Sequence, residues 1–130
     1  MNNPPPLESV SVIFINAQQI FAVQRQPYLL AFPGYHAFPG GKIDEDEYLI
    51  AFETEFVCEH NAVSMRALQR EIMEELAYDL EEGVKIGEVL SVSELAEALA
   101  PPFAPVRFRT WFYRVDLSRR INFKVDSGEF

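Results

Sequence analysis

The sequence predicts one domain of mixed structure, α/β in the α+β sense, and three observations carry that prediction. Runs rich in β-branched and aromatic residues lie near both ends, at 10–15 and at 107–115 (RFRTWFYRV). Between them Met65, Leu68, Ile72 and Leu76 fall at i, i+3, i+7 and i+11, the single apolar stripe of a helix over 64–78. The length of 130 residues leaves no room for two domains, and 48% hydrophobic residues, with 11 Phe, 5 Tyr and 1 Trp, build a core without disulfide or metal staples.

The elements follow in order. Residues 1–8 read as a flexible lead, because three consecutive prolines neither nucleate a helix nor sit in a central strand. The remainder, 9–130, reads as the domain. A strand at 10–15 is followed by a turn at 16–18 and a second strand at 19–24. From 31 to 41 the text AFPGYHAFPGG repeats Phe-Pro-Gly, which implies tight turns and little regular structure. Its paired glycines let a backbone approach something closely. The acidic stretch 44–59 is a short helix or a surface excursion. Ser64 is the expected N-cap of the long helix. Residues 81–83 end that region. A strand is expected over 84–92, then a short helix over 93–100 capped by Ser93 and stopped by Pro101 and Pro102. The last residues, Asp126-Ser-Gly-Glu-Phe130, read either as a frayed tail or as the middle of an element.

Charge narrows the function. Lys plus Arg is 11 and Asp plus Glu is 20, a formal net charge of −9. Nucleic acid and anionic membranes reward basic surfaces, so neither is expected as the main partner. One cysteine, Cys58, excludes an internal disulfide and a cysteine-based zinc site. Two histidines, His36 and His60, exclude a His-rich metal site. No apolar run approaches the roughly 20 residues that span a bilayer. The start lacks the basic and apolar regions of a signal peptide. A soluble, cytoplasmic protein is the expectation.

The stretch with chemical content is Arg70-Glu-Ile-Met-Glu-Glu75. At about 100° per residue, Glu71, Glu74 and Glu75 share one sector of the helix, roughly 120° from the apolar stripe. Like charges at this spacing repel. They are tolerated on a solvated face, or where a hard cation such as Mg²⁺ or Mn²⁺ neutralises them.

Upstream stands Phe38-Pro-Gly-Gly-Lys-Ile-Asp44, followed by Glu47. Together the two stretches resemble the signature of the Nudix hydrolases. Gly41, five residues and Glu47 match its first half; Arg70, Glu71, Ile72, Glu74 and Glu75 match its second, and Ala67 fits a small residue common before the arginine. Two departures stand out. Between Glu47 and Arg70 lie 22 residues in place of seven, an insertion of 15 placed at about 48–62. The usual final glycine is Ala77, a mild change if the helix simply runs on. A long insertion at this point, Gln24-Arg25 and the double Phe-Pro-Gly run are similar to the coenzyme A diphosphatase-like branch.

The resemblance implies an αβα sandwich around a mixed β-sheet and hydrolysis of a diphosphate linked to another moiety, with coenzyme A or an acyl-CoA as the leading substrate. Glu71, Glu74 and Glu75 would hold Mg²⁺ or Mn²⁺ with the backbone carbonyl of Gly40. Arg70 would pair with Glu47 and hold the loop against the helix. Lys42 and Arg25 would approach phosphate, with a solvated side chain as the alternative for Lys42. In the family a last strand and helix follow the point where this chain ends, so a longer protein, or a homodimer covering the sheet edge, is expected. The alternative is a non-catalytic Nudix-like module that binds a nucleotide or a protein. His36 is read as a loop histidine or a substrate contact, and Trp111 and Phe112 as sheet packing.

Overall fold

A computed structural model of the chain describes residues 6–24, 27, 36–44, 60–99 and 108–125. In chain order the described elements are β1 (Leu7–Asn16), β2 (Gln19–Ile20), β3 (Val23–Gln24), β4 (His36–Ala37), β5 (Gly40–Lys42), α1 (His60–Leu76), α2 (Leu80–Lys85), β6 (Val89–Leu99) and β7 (Phe108–Leu117). The fold is of the expected α+β class.

β1 is the axis of the sheet. Val10, Val12 and Phe14 alternate along it and point to one face, where all three are buried. β7 runs parallel to β1 along one edge, from Leu7 opposite Phe108 to Ile15 opposite Asp116. With that edge taken, β2 and β5 share the other. β2 folds back as a hairpin at the far end, and β5 pairs antiparallel with Ser9, Val10 and Ser11 near the start. β6 lies antiparallel on the outer side of β7. The parallel β1–β7 pair among antiparallel neighbours makes the sheet mixed. β3 and β4 form a separate small ladder.

α1 packs its buried rows on β1 and β5. Leu68, Ile72 and Leu76 meet Val10, Val12, Phe14 and Val115 in one hydrophobic cluster. Phe123 closes one end of that core, its ring centroid 4.7 Å from Phe14, 4.9 Å from Phe21 and 5.4 Å from Tyr78.

Several expectations are corrected. β1 starts at Leu7, inside the lead placed at 1–8. The strand expected at 19–24 is two short strands in different sheets, because the hairpin pairing ends at Ile20. Part of the glycine-rich run is regular after all, since β4 and β5 lie within it. α1 begins at His60, within the stretch assigned to the insertion, so Ser64 is no cap. It is fully buried a turn inside the helix, facing Tyr113. Residues 80–85 are helical rather than a helix stop and a strand start. Asp79 caps them by accepting from the Glu82 amide at 3.1 Å, a side-chain cap that the sequence displays. The helix expected at 93–100 is strand. Glu94, Leu95, Ala96 and Glu97 favour a helix by propensity, yet β6 pairs with β7 from Val89–Leu117 to Leu99–Arg109, with two register shifts. The ladder overrides the local preference.

α1 does not run on past its signature. It stops at Leu76, and Ala77 takes a left-handed φ of 51°. That is the conformation for which glycine is suited at a helix C-terminus. No described helix is long and apolar enough to cross a membrane.

Candidate active site

The site forms where α1 crosses β5. The buried face of α1 consists of two adjacent rows, Val63/Ala67/Glu71/Glu75 and Ser64/Leu68/Ile72/Leu76. Met65, assigned to the stripe from its spacing, lies at the rim of the core instead. The three glutamates therefore separate. Glu71 and Glu75 belong to a buried row and are only 9% and 3% exposed. Glu74 points outward, its side chain 59% exposed. The reading of a solvated acidic face fits Glu74 alone.

β5 meets the buried pair. The Gly40 amide donates to Glu75 Oε2 at 3.0 Å. A Cβ built on Gly41 would overlap the Glu71 carboxylate, and one built on Gly40 would overlap the β1 backbone at Val10 and Ser11. The two glycines thus serve different ends. Gly40 lets β5 close on β1, and Gly41 leaves the volume that Glu71 fills. Pro39 is fixed behind them, its carbonyl accepting from the Val12 amide at 2.9 Å and from Ser11 Oγ at 3.3 Å.

Arg70 links helix and loop. Its Nη1 donates to Glu71 Oε1 at 2.8 Å and to Glu74 Oε2 at 3.2 Å, and its Nη2 donates to the Lys42 carbonyl at 2.9 Å. Its Nε lies 3.4 Å from Asp44 Oδ2. The sequence assigned Arg70 a partner in Glu47, which lies outside the described residues, as do Arg25, Cys58 and most of the insertion. Asp44 was not singled out from sequence; its place three residues after the glycine pair was the signal available.

Burial raises the Glu71 carboxyl above its ordinary value. The Arg70 hydrogen bond and charge pull it down, as does a hydrogen bond with Glu75, while the charge of Glu74 pushes it up. Two acids crowded together out of water make an electrostatic deficit that a cation would relieve. Among the described residues no three acid, histidine or cysteine side chains converge as a ready metal cage. The donor set present is two carboxylates beside the half-buried backbone of β5 at Gly40 and Gly41. That set fits Mg²⁺ or Mn²⁺, which take few carboxylates and keep several waters.

No protein-family profile matches the chain, and no curated protein sequence does. Solved structures do. A NUDIX hydrolase from Alicyclobacillus acidocaldarius superimposes with a TM-score of 0.75 at 19% identity, over 96% of this chain and 76% of that one. The NUDIX domain of Shewanella oneidensis NrtR, solved in complex with ADP ribose, gives 0.64 at 17% identity, over 98% and 71%. The E. coli dihydroneopterin triphosphate pyrophosphohydrolase gives 0.59 at 15% identity, over 95% and 75%. The chain has the Nudix fold, and it spans roughly three quarters of each of these structures.

Proposed function

We propose that the protein is a divalent-metal-dependent pyrophosphohydrolase acting on a nucleoside diphosphate linked to another moiety. The observation that carries this reading is the burial of Glu71 and Glu75 side by side against the Gly40–Gly41 loop. Burying two carboxylates costs stability unless something charged compensates; Arg70 offsets part of the Glu71 charge, and a bound cation would offset more.

In this reading Glu71 and Glu75 would hold the cation with the Gly40 carbonyl. Glu74, on the solvent side, accepts the proton of the attacking water. Arg70 orients Glu71 and Glu74 and fixes the loop through Lys42. Mg²⁺ or Mn²⁺ held there would supply the positive charge that a −9 protein needs to receive a diphosphate. Lys42, Arg25 and Glu47 keep the phosphate-binding and loop-anchoring roles that the signature suggests. The resemblance to the coenzyme A diphosphatase-like branch makes coenzyme A or an acyl-CoA the leading substrate, in a cytoplasmic setting.

Product analysis by mass spectrometry with Mg²⁺ tests this, across coenzyme A, ADP-ribose, NADH, sugar nucleotides and nucleoside triphosphates. Cleavage of one substrate at its phosphoric anhydride, stopped by chelator, is the expected result. Tight nucleotide binding without cleavage of any compound would overturn the reading in favour of a binding module.

A further inference from the structure

The Arg70 guanidinium is a planar fork, and a fork is fixed only when it is held from more than one side. The helix holds it through Glu71 and Glu74. The loop holds it through a hydrogen bond to the Lys42 carbonyl, and the Asp44 carboxylate faces Nε at 3.4 Å as an ion pair without hydrogen-bond geometry. Asp44 follows a well-anchored point of the backbone. Ile43 is buried, and its amide donates to the Glu8 carbonyl at 2.9 Å. The Asp44 side chain is 55% exposed, so the ion pair itself adds little to stability. Its effect falls instead on the direction in which Arg70 points, and hence on the Glu71 carboxylate, to which Arg70 donates at 2.8 Å.

We propose that Asp44 is a positioning residue: acting through Arg70, it sets the Glu71 carboxylate for a divalent cation. The proposal rests on the reading of Glu71 and Glu75 as the cation site. A short acid at this point pairs the helix with the loop next to the glycine pair.

The test is Mn²⁺ affinity, by paramagnetic resonance or calorimetry, together with the thermal midpoint of the metal-free protein. Asp44→Asn should weaken Mn²⁺ binding about tenfold, the size typical of a residue that orients a ligand, and leave the midpoint nearly unchanged. In an Arg70→Lys background, or in Arg70→Gln, the same substitution should change affinity by less than about twofold, because the route through the fork is gone. Glu97→Gln, which breaks the Arg109–Glu97 pair at 2.9 Å elsewhere on the surface, should leave affinity unaltered. An equal loss in both Arg70 backgrounds would mean that Asp44 acts only as a distant charge, and would overturn the proposal. So would a lowered midpoint with unchanged affinity. Failure of the wild-type protein to bind Mn²⁺ would instead remove the cation site itself, and the role of Asp44 with it.

Discussion

Replacing Ala77 by glycine removes one methyl group from the residue that ends α1, and the backbone there determines the consequence. Ala77 holds φ at 51° while its amide still donates to the Met73 carbonyl at 3.0 Å. An L-residue in the left-handed region pays about 1–2 kcal/mol against its Cβ. Glycine avoids that clash, and its greater freedom in the unfolded chain takes back about 0.5–1 kcal/mol. Ala77 is exposed, so no packing is lost. The net gain is about 0.5–1 kcal/mol, which for a domain of this size raises the melting midpoint by about 2–5 °C. Calorimetry and urea denaturation with an unchanged slope would measure it. Ala67→Gly, buried inside the same helix, should move the midpoint down. A lower midpoint for Ala77→Gly would refute the reasoning and show a helix that continues through residue 77.

Other outcomes follow from the same geometry. Gly40→Ala should destabilise by about 3 kcal/mol or more, because its Cβ meets β1 backbone that cannot give way; the nearest atoms to a Cβ at Gly41 belong to the Glu71 side chain, so Gly41→Ala should cost about 1 kcal/mol. The Gly41 variant, read by Mn²⁺ titration, should lose most of its metal affinity while remaining folded. Glu71→Gln should stabilise the metal-free protein by about 1 kcal/mol and abolish the rise in midpoint that Mg²⁺ gives the wild type. The sign of its pH dependence follows from the raised Glu71 carboxyl: the folded state binds this proton more tightly than the unfolded one, so the ionised acid destabilises the fold. The advantage of Glu71→Gln should therefore grow as pH rises above the ordinary value of 4.5 and vanish below it, in melts run with chelator. At the β1–β2 hairpin, Ala17 and Gln18 sit at φ of 49° and 68°. Asn-Gly in their place should stabilise by about 1 kcal/mol, measured by thermal melts.

How much of this was legible in the sequence depended on how local each signal was. The long helix follows from its period, and the strands at both ends from their β-branched and aromatic residues. The acids, Arg70 and the glycine pair follow from two short motifs that the fold brings together where α1 meets β5. What spacing could not give was which carboxylates are buried. An ideal apolar stripe through Met65 would turn all three glutamates toward a neighbouring face, whereas packing on β5 rotates the row of Glu71 and Glu75 inward. Gly41 makes that possible, and a missing side chain leaves no mark on periodicity. The helix expected at 93–100 failed for the opposite reason. Its residues favour helix, and only the distant partner β7 makes them strand. Ala77 misled because an alanine there reads as helix continuation, though the chain keeps the turn that glycine usually supplies.

In the proposed reading Glu71 and Glu75, with the Gly40 backbone, would form a divalent-cation site. The most direct measurement is an anomalous difference map from crystals grown with Mn²⁺. A single strong peak within about 2.0–2.4 Å of carboxylate oxygens from Glu71 and Glu75, on the side of the Gly40 carbonyl, is the predicted result. No peak at that position in a well-ordered site, or one bound only at unrelated surface acids, would contradict the account.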